Sequence, residues 1–297
     1  MKYPILPQTE AFNKHTQHFG SLSPAGMFDK MQTENLAAVK AIKKAKKQIT
    51  AAAKLTAQTY LNNKKTIFLG AGTSGRLGIL EAAECPPTFS VGYNDFSAII
   101  AGGKKAVFKA AEGAEDNFGQ GQKDFLKKAK QGDILIACAA SGRTPYVLGA
   151  LKAAKQNGNK TVFISCSNTA DKTNADIFVY LPTGAEVISG STRLKAATAT
   201  KCALNMITTI AMALCGKVYK NLMVDVKASN GKLKNRAVRL IASAAGIDEN
   251  KAKQLAIKSK YNVKAAAVMS KKNTDLKQAL NLLKKHKGFL DKVLDEK

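Results

Sequence analysis

Between about residues 64 and 215, short apolar runs alternate with longer stretches whose apolar positions recur every three or four residues. That alternation predicts strands and helices in turn, and so an α/β fold built on a parallel sheet. Five runs read as strands: TIFLG (66–70), SAIIAG (97–102), DILIACA (133–139), TVFISC (161–166) and IFVYLP (177–182). Each is short, mostly apolar and rich in branched side chains, as strands covered on both faces are. Ahead of them, residues 31–63 carry one long helical pattern with alanine-rich and lysine-rich faces, expected to pack on the sheet or on a partner subunit. After them the pattern is wholly helical. One helix is expected to end at Gly246, Asp248 to cap the next, and Asn273 or Thr274 to cap the one that follows. The chain thus divides into a helical segment (1–63), an α/β domain with a five-stranded parallel sheet flanked by helices (64–227) and a small helical subdomain (228–297).

The first strand runs straight into Gly70-Ala71-Gly72-Thr73-Ser74-Gly75, a G-x-G-x-x-G turn. Such a turn frees backbone N–H groups for an anion at a helix start. A dinucleotide site would add an acidic residue about 20 positions on, and Asp95 lies there, but in the turn-like context VGYNDFS. The third strand ends in a second turn, AASGRTPY, and both turns carry Ser-Gly-Arg, at 74–76 and 141–143. Hydroxyls and backbone N–H groups from two neighbouring strand ends suit a monophosphate on a small polar body. A third block, GAEVISGSTRLKAATATK (184–201), brings Ser189, Ser191, Thr192, Arg193 and Lys195 to another expected helix start.

Charge changes this picture little. The 47 basic residues against 21 acidic ones give a formal charge of +26, but only Arg76, Arg143, Arg193, Arg236 and Arg239 are arginine. Base and bidentate phosphate recognition favour arginine, and the lysines are spread at spacings that suit wet helix faces. No nucleic-acid role is expected. In so basic a chain the acidic clusters stand out: Glu81 and Glu84 after the first turn, and Glu112, Glu115 and Asp116 in AAEGAEDN. Glu112 and Glu115, at i and i+3, would share a helix face. Cys85-Pro86-Pro87 is expected to end the first helix just after Glu84 and so to fix that carboxylate near the turn. One carboxyl from each cluster would supply a general acid and a general base. Five cysteines in apolar runs, never as C-x-x-C, point to a reduced, cytoplasmic chain with neither a disulfide framework nor a zinc site. His15, His18 and His286 complete no metal-ligand pattern, so no metal is expected. The N-terminal stretch MKYPILPQTEAFNK lacks an unbroken apolar core, and CALNMITTIAMALC (202–215) is too short and polar for a bilayer, so neither export nor a membrane span is expected.

The segments LGAGTSGRLGILEAAECPPTF, AAEGAEDN, AASGRTPYV, GAEVISGSTRLKAATATK and GKVYKNLMVDVKASNGKL resemble the N-acetylmuramic acid 6-phosphate etherase family, from about Gln8 to the C-terminus. The same blocks occur in the larger glucokinase regulatory proteins, which carry two such domains. The resemblance implies a sugar isomerase (SIS) fold of three layers, a homodimer, and cleavage of the lactyl ether of N-acetylmuramic acid 6-phosphate without a cofactor. A non-catalytic sugar-phosphate-binding regulator is the alternative it leaves. By that resemblance Glu84 and Glu115 are the catalytic pair, in either order of acid and base. Substrate contacts then fall on Gly72, Thr73, Ser74, Ser141, Gly142 and Thr144, with Ser191, Arg193 and Lys195 beyond them. Two departures are visible: Ala139 replaces the first serine of the S-x-S-G-x-T loop of many SIS proteins, as it does in the etherases. Lys287-Gly288-Phe289-Leu290-Asp291 stands where the family usually has Gly-Gly-Phe-x-Arg.

Overall fold

A computed structural model describes residues 6–295; the first five residues of the proline-containing N-terminal stretch and the last two residues of the chain lie outside the described part. The chain divides into two compact units, residues 1–83 with 93–208, and residues 84–92 with 209–297. Two of its three breaks, at 83/84 and 208/209, fall inside helices, and the third, at 92/93, lies in a loop.

The first unit holds the sheet. Strands β1 (Thr66–Gly70), β2 (Phe96–Ile100), β3 (Ile134–Cys138), β4 (Lys160–Ser165) and β5 (Ile177–Tyr180) lie in the order β2-β1-β3-β4-β5, every neighbouring pair parallel. All five match the apolar runs to within a few residues. β1 and β3 are buried along their whole length, which is why neither shows a polar alternation. The long N-terminal pattern is two helices, α1 (Pro24–Ala41) and α2 (Lys46–Leu61), separated by a 3-10 turn at Ile42–Ala45. Ser23 caps α1 by accepting from the Gly26 N–H at 3.2 Å. Ile49, Ala52, Ala53, Thr56 and Ala57 of α2 are buried, and the helix packs beside β1 and β5.

Helix α3 (Gly72–Phe89) follows β1 and departs from expectation, because Pro86 and Pro87 lie inside it. The two rings remove only two N–H donors near the end of the helix, and their fixed φ is itself helical. The last turn is closed by Thr88 Oγ1 donating to the Glu84 carbonyl at 2.7 Å and by Ser90 N–H donating to the Pro86 carbonyl at 3.0 Å. A one-turn helix α4 (Lys105–Phe108) and a 3-10 turn (Ala114–Asp116) lead from β2 to α5 (Phe118–Lys128), and α6 (Pro145–Gln156) follows β3. Helices α5 and α6 approach with a glycine from each. A Cβ on Gly121 would lie 1.9 Å from the Tyr146 carbonyl oxygen, and one on Gly149 would lie 2.1 Å from that of Phe118. The Tyr146 hydroxyl donates to Asp124 at 2.6 Å across the same contact.

Helix α7 (Lys195–Leu214) is long and apolar enough by length and composition to cross a membrane. Ala196, Ala199, Ala203, Leu204 and Ile207 are fully buried, and Asn205 and Thr208 donate to the buried carboxylate of Glu81, marks of an internal helix.

The second unit has its own core of small and branched side chains, among them Val224, Ile241, Ala252, Ala266, Val268 and Val293. It is built from α8 (Gly231–Ala245), α9 (Glu249–Lys258), α10 (Val263–Lys272), α11 (Leu276–Lys285) and α12 (Leu290–Asp295). Gly246, in the left-handed region, ends α8, and Asp248 caps α9 from the Lys251 N–H at 2.9 Å. At the next junction the cap is Asp275, neither Asn273 nor Thr274. Its carboxylate accepts from the Gln278 N–H at 2.7 Å while the Gln278 side chain accepts from the Asp275 N–H, a reciprocal box the other two positions cannot form. Asn273 instead takes the left-handed conformation that ends α10.

The glycine contact predicts a graded result. Gly121→Ala and Gly149→Ala each force α5 and α6 apart, at about 1–3 kcal/mol. Gly119→Ala in the same helix α5 meets nothing closer than 3.8 Å. Thermal denaturation should show Tm lowered by several degrees for the first two and unchanged or raised for the third.

Candidate active site at the carboxyl edge of the sheet

In the order β2-β1-β3-β4-β5 the chain reverses direction across the sheet between β1 and β3, and ligands of open parallel sheets sit at the carboxyl ends of the strands at such a point. The register pairs Gly70 with Cys138, so the two Ser-Gly-Arg turns leave the sheet side by side, at the roughly 4.8 Å spacing of adjacent strands. The first turn is packed as tightly as backbone allows: a Cβ on Gly70 would lie 2.7 Å from the Gly75 nitrogen, and one on Gly75 would lie 2.7 Å from the Gly70 oxygen and 2.5 Å from Ile100. Thr73 and Ser74 are half-buried on the first turn of α3.

The second turn is held from β4. The Cys166 N–H and the Ser165 hydroxyl both donate to the Ala140 carbonyl, at 3.0 and 3.2 Å. Gly142 is required there twice over, since its φ is +73° and a Cβ would lie 2.2 Å from that of Ala170. Thr144 is the N-cap of α6, yet its hydroxyl makes no capping hydrogen bond. Ser141 and Thr144 are half-buried.

On the β2 side of the first turn lies a cavity of about 220 Å³, lined by Ala71, Gly72, Arg76, Ala101, Glu112, Gly113 and Glu115 among others. The structure therefore brings Glu115 to the glycine turn. Glu112 and Glu115 do not share a helix face as expected. Gly113 in the left-handed region and the short 3-10 turn carry them instead, and both still line the one cavity. Arg76, noted in the sequence only as part of a repeated tripeptide, is the residue whose place the pattern could not reveal. Its Nε donates to the Val107 carbonyl and its Nη2 to the Ala106 carbonyl, both at 2.8 Å, tying the end of α4 to the first turn of α3. No sequence signal identifies a backbone carbonyl 30 residues away as an arginine's partner.

The other expected site residues are placed differently. Glu84 is exposed and belongs to the second unit, and the nearer carboxylate on α3, Glu81, is buried and engaged by Asn205 and Thr208. Ser191 is half-buried and Arg193 exposed, and neither lines the cavity. Lys195, expected at an anion-binding helix start, is buried, with its ammonium donating to the Glu34 carboxylate and, at 2.9 Å, to the Ala185 carbonyl. The anion at the start of α7 is the chain's own Glu186, which accepts from the Lys195 and Ala196 N–H groups at 2.8 and 2.9 Å. Burial raises the pKa of Glu186 despite those two hydrogen bonds. Glu34 shows the opposite balance: burial pushes its pKa up, but the hydrogen bond and charge of Lys195 outweigh that and hold it below the ordinary value of 4.5.

Residues 47–155 match the glucokinase regulatory protein N-terminal SIS domain, and residues 220–287 match the C-terminal lid domain of glucokinase regulatory protein. The N-acetylmuramic acid 6-phosphate etherase 1 of Bacillus licheniformis is 44% identical over 96% of this chain and 95% of its own length. The etherases of Bacillus subtilis and Listeria welshimeri are 41% and 45% identical, each over 97% of this chain and over 95% and 98% of their own lengths. Among solved structures, a phosphoheptose isomerase from Francisella tularensis is 17% identical with a TM-score of 0.48, covering 63% of this chain and all of that one, a likeness too distant to bear on function.

The Glu34–Lys195 pair yields a test of its own. Lys195→Met leaves a buried carboxylate uncompensated, a loss of about 3–5 kcal/mol. Because the folded pKa of Glu34 is lowered, its stabilisation is complete above the ordinary value of 4.5 and is lost as pH falls through the folded value. Tm measured against pH should show a wide gap between wild type and Lys195→Met near neutrality that closes in acid.

Proposed function

The chain belongs to the N-acetylmuramic acid 6-phosphate etherase family, and on that premise we propose that it is a carbon–oxygen lyase that cleaves the lactyl ether of N-acetylmuramic acid 6-phosphate. The products are N-acetylglucosamine 6-phosphate and D-lactate, the chemistry of peptidoglycan amino-sugar catabolism. The observation that carries the reading is that Glu115 and the first glycine turn line one cavity. A carboxylate beside an anion-binding turn is what an acid–base reaction on a sugar phosphate needs.

The phosphate binds between the two turns, on the N–H groups around Gly72 and Gly142 and the hydroxyls of Thr73, Ser74, Ser141 and Thr144. The substrate reacts in its open-chain form, where the aldehyde acidifies the C2 proton. A carboxylate takes that proton, the C3–O bond breaks, and a carboxylic acid protonates the departing lactyl oxygen, leaving a C2=C3 double bond. Water then adds its oxygen to C3 and a proton returns to C2, so that one water is consumed for each ether cleaved. Glu115 and Glu84 are the two carboxyl groups, the first supported by its place in the cavity and the second by family resemblance alone. A homodimer is the assembly the family resemblance implies, and a cytoplasmic location fits the substrate.

Purified protein should release D-lactate stoichiometrically with N-acetylglucosamine 6-phosphate. Glu115→Gln and Glu84→Gln should each lower kcat by about 10²- to 10⁴-fold, the usual reach of a general acid or base. Full turnover in either variant removes that residue from the mechanism. Tight sugar-phosphate binding with no lactate release would favour the regulatory alternative.

A further inference from the structure

The geometry points to Arg76 as the residue that selects substrates bearing a lactyl carboxylate, an inference that rests on the etherase reading above. Three observations converge on it. Arg76 lines the same cavity as Glu115, on the β2 side of β1, whereas the second phosphate turn leaves the sheet on the β3 side. Its guanidinium plane is fixed by two hydrogen bonds to consecutive carbonyls, those of Ala106 and Val107, each 2.8 Å long. Among the described residues it makes those two hydrogen bonds and no ion pair, although Glu112 and Glu115 line the same cavity.

A guanidinium carries more N–H donors than two carbonyls can use, so Nη1 and the second N–H of Nη2 remain for a ligand. A planar, permanently charged fork held in place by backbone matches a carboxylate in two-point contact. The substrate carries two anions, and the phosphate has hydroxyls and N–H groups from two turns waiting for it. The lactyl carboxylate has no such partner elsewhere in the cavity. It is attached through one carbon to the ether oxygen that must be protonated, so a cation in the cavity that contains Glu115 would bring that oxygen to the acid–base group.

The test compares N-acetylmuramic acid 6-phosphate with its lactyl carboxamide, using N-acetylglucosamine 6-phosphate as an inhibitor that lacks the lactyl group. Wild type should favour the acid over the amide in kcat/KM by at least about tenfold, the worth of a charge-assisted hydrogen bond. Arg76→Gln should bring the two substrates within about threefold of each other while leaving the Ki of N-acetylglucosamine 6-phosphate unchanged. Arg76→Lys keeps the charge without the fork, and it serves if the glutamine variant fails to fold: its preference should fall below wild type, again at constant Ki. A preference that survives in the variants overturns the inference. So does a Ki that rises in step with KM, which would assign Arg76 to the phosphate or to loop structure alone. Equal wild-type turnover of acid and amide overturns it as well, whereas failure of wild type to release lactate from the acid would overturn the etherase reading itself.

Discussion

The parallel pairing of β1 with β3 is the constraint on which the site depends. Two strands separated in sequence by more than 60 residues are hydrogen-bonded neighbours, with β2 on the outer side of β1. Because they run in the same direction, both turns leave from the same edge, and both helices begin there. An antiparallel partner would send its turn to the opposite edge. The glycines are consequences of this arrangement: Gly70 and Gly75 let α3 start against the strand it leaves, and Gly142 lets the second turn pass beneath Ala170.

Arg76 then connects this edge to its acidic neighbour. The end of α4 has carbonyls with no helical partner, and the guanidinium supplies two donors to them. The loop that follows carries Glu112 and Glu115 back over the glycine turn. One side chain thus joins the glycine turn, the carboxylate loop and the cavity between them.

In so basic a chain the scarce carboxylates sort by what surrounds them. Asp133 accepts from the Lys65 and Lys130 N–H groups at 2.8 Å each, Asp176 from the Thr161 N–H at 2.8 Å and from Lys155, and Glu81 from Asn205 and Thr208. In the second unit Asp225 is paired with both Lys217 and Lys264. These groups are committed to backbone, hydroxyl, amide and cationic partners within the fold. Glu112 and Glu115 are exposed and line the cavity, with no such partner among the described residues.

The sequence by itself determined the strands, the two Ser-Gly-Arg turns and the acidic clusters, because these are local. A strand buried on both faces must be a continuous apolar run, and a tight anion-binding turn must use glycine and small hydroxyls. It also carried the family resemblance, since long blocks of matched residues need no coordinates. Only the tertiary structure decided the rest. That Lys195 is neutralised by Glu34 depends on a partner 161 positions away, and that Arg76 grips Ala106 and Val107 depends on backbone carbonyls, which have no sequence signature. In each case the deciding partner is a charge or a carbonyl supplied by folding, and a pattern of residue types along the chain does not encode which one arrives.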